Sequence, residues 1–465
     1  MTEYTFSNFD QFQRKPFADR LTKAITYFSP LVDGAYVLSL NACFGSGKTT
    51  FLNMWKDELE TNQHKVIYLN AWDTDFDEDP VMAILYFLLK NIESNNTREV
   101  RKALKAGLVV AASSLANQLI EKSTGIDIQG VVEKTQTYLE KVDLQSMGDE
   151  IYKAYAFKRK AYQEVKTELE KYVKTLEKKP LIIMIDELDR VRPDYAVKFL
   201  EAIKHIFSVP GICFVLAVDR GQLACSVKQL YGNLDFDNYY RRFVSREAAL
   251  PVPNHVELKP FIEQILEGYF SKLPSHIKTY FYGMNDKNQR DRLSHAQKIC
   301  HGFRLTARQI ESVLRIFIHH MLAEEMQREW NPAWLDATLF LLDATLFLIA
   351  LGVSDREKYQ ELGEGKAMAK DMYTYLRSLP FDWNDRKSNN IVVLALAFNL
   401  RQWDDVNDGQ TVQIYQSIRD KNHLEKSHVL NELAEIVEFA RSIPEESGFQ
   451  RIYKKLEEWR SFVER

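Results

Sequence analysis

The chain reads as an α/β protein, a doubly wound parallel sheet with a helical insertion, followed by an all-α C-terminal region, and three observations predict this. Apolar runs of strand length alternate with helical periods through residues 34–219. One run, KPLIIMIDELD (179–189), is almost wholly apolar, as a strand covered on both faces must be. After LPVP (250–253) strand signals almost vanish, and HVELKPFIEQILEGYF, QIESVLRIFIHHMLAEEM, WLDATLFLLDATLFLIA and GFQRIYKKLEEWRSFV carry helical periodicity. A chain of 465 residues, 45% hydrophobic and 27% charged, can bury such cores over two or three domains.

Taken in order, GAYVLSLNA (34–42) is a first strand, rich in β-branched and aromatic residues. A glycine loop follows it, then an amphipathic helix, TTFLNMWKDELE. HKVIYLNAW (64–72) is a second strand and KPLIIMIDELD a third. Pro193 and Asp194 open the helix DYAVKFLEAIKHIFSV, and Pro210-Gly211 ends it and starts a fourth strand, ICFVLAVD. Residues 80–178, between the second and third strands, are rich in Lys, Glu, Leu and Ala and read as helix. The last part, FKRKAYQEVKTELEKYVKTLEKK, has the mixed charge of a coiled-coil-like hairpin or a solvated helix.

A net charge of −4 gives no overall pull toward nucleic acid, although a local patch such as Lys158-Arg159-Lys160 can contact phosphates. Four scattered cysteines form no C-x-x-C pair. The two longest apolar runs do not read as membrane spans: AGLVVAASSLANQLI is too short and LDATLFLLDATLFLIALGV carries Asp336 and Asp343. The N-terminus is polar and acidic, without an apolar signal core, so a cytoplasmic location is expected.

The glycine loop, NACFGSGKTT (41–50), has the Gly47-Lys48-Thr49 ending and the spacing of a phosphate-binding P-loop, with Ala42 where the common pattern has glycine. Such a loop wraps phosphates in backbone N–H groups at a helix N-terminus. Phe44, Gly45, Ser46, Gly47, Lys48, Thr49 and Thr50 are the expected nucleotide-binding residues, Lys48 reaching the β/γ-phosphates and Thr49 a Mg²⁺ ion. Asp186 and Glu187 end the third strand, where ligands of open α/β sheets bind. Asp186 is placed to hold Mg²⁺ through water, and Glu187 to take a proton from the attacking water. Asp219, at the end of the fourth strand, is either a polar group beside the γ-phosphate or an ordinary loop-opening aspartate. Cys43 is either a reactive thiol beside the loop or a buried inert one.

These residues resemble the KAP family of P-loop NTPases. FGSGKT is similar to the family's W-G-S-G-K-[ST], with Phe44 for tryptophan; YLNAW (Asn70, Ala71, Trp72) resembles its F-N-A-W strand; and IDELDR (Asp186, Glu187, Asp189, Arg190) resembles its extended Walker B. DQFQRKPFADRLTKAI is similar to the lead that precedes its P-loop, and LAVDR with YYRRFV resembles the stretch that closes its NTPase domain. The likeness covers roughly residues 8–255, with weaker support to about 320. It implies a P-loop NTPase of the additional-strand, catalytic-glutamate class with ATP and Mg²⁺ as ligands, in a family whose bacterial members include phage-exclusion proteins. The implied domains are 1–255 for the NTPase, with the insertion at about 80–178, 256–330 for a helical lid and 331–465 for an all-α C-terminal domain. Many relatives carry membrane helices between Walker A and Walker B; here that gap reads as polar helix. Arg242 stands where the family has a lysine and is expected either to stabilise γ-phosphate charge or to be a basic surface turn. HGFRLTARQIESVLR is similar to the lid arginine motif, with Ala307 for proline, which makes Arg308 a sensor by resemblance.

Two functions stay open on the sequence: an ATPase that moves its helical half or assembles with itself or a protein partner, and a nucleotide-gated scaffold with little turnover. No N-K-x-D motif points to guanine nucleotide.

Overall fold

A computed structural model of the chain describes residues 4–76, 79–92, 97–123, 144–273, 286–326 and 335–363, together with 278, 375–376, 378–380, 453 and 456–457. The chain divides into two compact units, Met1–Pro251 and Val252–Arg465.

In the first unit the chain runs α1 (Lys15–Phe28), β1 (Tyr36–Asn41), α2 (Lys48–Thr61), β2 (Val66–Asn70), α3 (Pro80–Asn91), α4 (Arg98–Ser123), α5 (Leu144–Thr175) and β3 (Leu181–Asp186). It continues through α6 (Pro193–His205), β4 (Ile212–Val218), α7 (Arg220–Tyr231), α8 (Phe236–Tyr240) and β5 (Arg246–Ala249). The strands form one sheet in the order β2-β3-β4-β1-β5, every pair parallel. Parallel pairing needs a crossover between successive strands, and the helices supply it.

Both faces of the sheet are buried, and each strand divides its side chains between them with period two. On β3, Leu181, Ile183 and Ile185 enter one core while Ile182 and Met184 enter the other. On β4, Phe214 and Leu216 go one way, Cys213 and Val215 the other. α1 and α2 cover the second face through Leu21, Ile25, Phe51 and Trp55. The insertion helices cover the first: Leu85 and Leu88 of α3, Leu104 of α4, and Val165, Leu169 and Val173 of α5 are all buried in the main core. α5 packs on α4, as a coiled-coil-like hairpin would, and its buried stripe seats it on the main core, so it is not a solvated helix.

β5 carries no strand signal, being the sequence Arg-Glu-Ala-Ala with mostly exposed side chains. It is held by backbone pairing to β1, Leu38 opposite Arg246 through Asn41 opposite Ala249.

The second unit is helical where described: α9 (His255–Phe270), α10 (Asp286–Gly302), α11 (Ala307–Met326), α12 (Leu335–Ser354) and α13 (Arg356–Gly363). Asn254 and Glu257 close a capping box on α9, each satisfying the other's backbone N–H. Leu258, Ile262, Val313, Phe317 and Leu348 are among its buried residues. Most of the region expected as an all-α domain over 331–465 lies outside the described residues, including nearly all of GFQRIYKKLEEWRSFV. Among the described residues no helix is long and apolar enough to cross a membrane.

Candidate nucleotide-binding site

The loop between β1 and α2 sits at the C-terminal edge of the sheet, beside the ends of β3 and β4. Gly45 and Gly47 have φ of 77° and 87°, the left-handed region open to glycine. Gly47 is the N-cap of α2 and no side-chain oxygen caps that helix, so its first N–H groups face the loop's concavity. Two bonds from Ser46 to Cys43 O, one from its N and one from its Oγ, tighten the turn.

Lys48 is buried and its ammonium turns back, donating to Ala42 O at 2.7 Å and standing 3.6 Å from Asp189 Oδ2. Asp189 Oδ2 also accepts from Asp219 N at 3.0 Å, while its Oδ1 is buried without a hydrogen-bond partner. Thr49 Oγ1 donates to Asp186 Oδ2 at 2.6 Å, joining residues 137 apart in sequence. Asp186 is fully buried, and Tyr68 OH reaches the same oxygen at 2.9 Å. Burial, with Asp186 beside it, pushes the Tyr68 phenol well above its ordinary range, so Tyr68 remains a neutral donor. A hydroxyl and a carboxylate facing one loop are the oxygen ligands that a hard divalent cation takes. One hydroxyl and one carboxylate would leave the rest of such an ion's coordination to phosphate and water; among the described residues no three His, Cys, Asp or Glu side chains gather to hold a metal.

Glu187 follows Asp186 at a φ of 61°, an uncommon conformation for a residue with a side chain. Its Oε1 is 2.7 Å from Arg190 Nη1. Asp219 caps α7, accepting from Gly221 N and Gln222 N, and its Oδ2 also accepts from Phe44 N at 3.3 Å. Asp219 thus opens a helix and reaches the phosphate loop as well.

The structure does not bring Arg242 to the loop of its own chain. Arg242 is exposed in the turn before β5, and Ser245 N pairs with Val37 O. That is the N-terminal edge of the sheet, and the four residues of β1 from Leu38 to Asn41 span roughly 13 Å to the other edge. Arg308 belongs to the second unit, in the first turn of α11, where Thr306 and Gln309 hydrogen-bond across the helix start. Ala307 takes the first helical position, where proline is favoured but alanine is tolerated. Thr50 lies on α2, and Cys43 is exposed, which removes the buried reading of that thiol.

The residue missed in sequence is Arg14. Its guanidinium donates to Ser46 O at 3.0 Å and to Pro251 O at 3.1 Å, tying the loop to the end of the first unit. The only signal was its place in the DQFQRK lead; nothing local predicts a contact 237 residues away.

A family model described as KAP family P-loop domain matches residues 14–323 of this chain. No curated protein matches it. Among solved structures it is similar to the Aeropyrum pernix ORC2 protein in ADPNP–ADP complexes, at 12% identity and a TM-score of 0.31 over 97% of this chain and 95% of that one. It is also similar to domain III of the Thermotoga maritima replication initiation protein DnaA, at 12% identity and a TM-score of 0.31 over 73% and 97%. A Walker-type ATPase of Pyrococcus abyssi matches at 12% identity and 0.31 over 84% and 89%. Likeness at that level carries no argument about function.

Proposed function

The chain belongs to the KAP family of P-loop NTPases, and from that premise we propose that it binds Mg·ATP in the loop and hydrolyses it with Glu187 as general base. What carries this reading is the meeting of two motifs distant in sequence. Lys48 and Thr49 open a helix beside Asp186 and Glu187 at the end of a buried strand. Mg²⁺ would neutralise charge across the β- and γ-phosphates, held by Thr49 and, through water, by Asp186. Lys48 leaves Ala42 O to reach the phosphates, the loop N–H groups wrap them, and Glu187 takes the proton of the attacking water. An arginine from a neighbouring subunit, Arg242 being one candidate, stabilises charge on the γ-phosphate, and Arg308 is the sensor that the family resemblance implies. Nucleotide state is coupled to motion of the helical region or to assembly.

The test compares wild type, Lys48→Ala and Glu187→Gln for binding of a fluorescent ATP analogue and for phosphate release. Lys48→Ala should abolish binding. Glu187→Gln should keep binding and lose roughly 10²–10⁴ in rate, the usual worth of a general base. Undiminished binding by Lys48→Ala would remove the nucleotide reading, and wild-type turnover by Glu187→Gln would remove the base assignment.

A second reading, a nucleotide-gated scaffold with little turnover, draws on the observation that Lys48 and Glu187 are both held by other residues, Ala42 O and Arg190. Tight binding with no hydrolysis in any oligomeric state would favour it. The family resemblance extends either reading to bacterial defence against phage, tested by comparing phage survival on cells carrying wild type or Lys48→Ala.

A further inference from the structure

We infer that Arg190 is a positioning residue that holds Glu187 out of use, and that Phe44 couples its release to filling of the phosphate loop; this rests on the hydrolytic reading above. Arg190 lies one turn beyond Glu187, and its backbone N donates to Glu187 O at 3.0 Å. Its Nη1 takes Glu187 Oε1 at 2.7 Å, and the side chains are only 26% and 13% exposed. The guanidinium centre is 4.5 Å from the centre of the Phe44 ring and 5.7 Å from a ring of Trp72, both within cation–π range. Three strand ends thus converge on one cation: Phe44 follows β1, Trp72 follows β2, and Arg190 follows β3.

An i, i+3 ion pair in water is worth little and directs nothing. This one differs in three respects. It is mostly shielded from solvent, so its charge-assisted bond is stronger than a surface pair. It engages the carboxylate proposed as the base, and an oxygen whose lone pair meets a guanidinium is a poorer acceptor for the proton of water. It also leans on the phosphate loop itself. Glu187 keeps an uncommon left-handed backbone, the kind that persists only where its surroundings hold it.

Phe44 supplies the trigger. Its N–H now makes a long bond, 3.3 Å, to Asp219 Oδ2. Phosphate oxygens in the loop compete for that N–H, as they do for its neighbours. When the backbone at Phe44 turns toward phosphate, its ring leaves Arg190, the guanidinium loses an aromatic contact, and Glu187 Oε1 is freed for water. ATP binding thereby arms its own hydrolysis, and an empty site keeps its base covered.

The test measures kcat and KM for wild type, Arg190→Ala, Phe44→Leu and the double variant, alongside Trp72 emission on adding a non-hydrolysable Mg·ATP analogue. Arg190→Ala should raise kcat by roughly tenfold, the worth of one charge-assisted hydrogen bond, with KM little changed. Phe44→Leu should raise it less, and the double variant should not exceed Arg190→Ala, because both changes open the same latch. In wild type the analogue should shift an emission component that Trp72→Phe removes and that Arg190→Ala flattens. A fall in kcat for Arg190→Ala, or independent effects of the two changes, overturns the latch. If wild type binds the analogue but does not turn over, the hydrolytic reading alone has failed, and the Trp72 signal still decides whether Phe44 moves against Arg190: no signal, no latch.

Discussion

Replacing Arg14 tests whether the phosphate loop is held from outside. Arg14 is 4% exposed, with its guanidinium on Ser46 O at 3.0 Å and Pro251 O at 3.1 Å. A hydrogen bond from a charged donor contributes about 1.5–3 kcal/mol, so two give at most about 3–6 kcal/mol. The two carbonyls belong to half-buried residues and regain some water when the guanidinium is gone, which brings the expected loss for Arg14→Ala to about 3 kcal/mol. For a unit the size of Met1–Pro251 that lowers the melting temperature by about 6–12 °C. Arg14→Lys, with one compact ammonium, reaches one carbonyl and should lose about half as much. Because Ser46 is in the loop, the stabilisation from saturating Mg·ATP should also shrink for Arg14→Ala. Thermal unfolding with and without nucleotide reads both effects. An Arg14→Ala variant that melts within about 1 °C of wild type and binds nucleotide equally well would refute the clamp.

Other consequences are sharper and simpler. Gly47→Ala places a methyl at a φ of 87° and 3.2 Å from Arg14 Nη1, so it should cost about 1–2 kcal/mol and weaken ATP binding together. Burial pushes the Cys300 thiol up to about 12 and the Cys213 thiol higher still, so both remain protonated at neutral pH. A thiol alkylator should therefore label exposed Cys43 and Cys225 only, and prior Mg·ATP should protect Cys43 but not Cys225; equal labelling of Cys43 with and without nucleotide would place it outside the site. Leu169→Ala in α5 should destabilise the fold by about 2–5 kcal/mol, as a cavity in the main core does, whereas a solvated helix would lose almost nothing in a denaturant titration.

Four strands were legible because each is a run of apolar residues long enough to cross the sheet and bounded by polar or turn residues. The phosphate loop was legible for a related reason: its glycines, lysine and threonine are local in sequence, and so is the strand–loop–helix context that gives them meaning. Asp186 and Glu187 stood out because two acids ending an apolar strand are costly anywhere except at a polar site. For α5 the sequence left hairpin and solvated helix open, because its charges mask a narrow stripe, Val165, Leu169 and Val173, whose partners lie in other elements. β5 gave no signal, since four residues with mostly exposed side chains are a strand only if a neighbour offers its backbone.

Sequence by itself determined the fold class, the phosphate loop and the acidic pair, because each follows from periodicity or from groups a few residues apart. Tertiary structure alone decided that Tyr68 and Thr49 share Asp186, that Arg14 ties the loop to Pro251, that Arg190 sits against Phe44 and Trp72, and that Arg242 lies before β5 at the edge of the sheet opposite its own loop. Most of those contacts join residues from different elements, and their geometry depends on strand order and register, which no local pattern encodes.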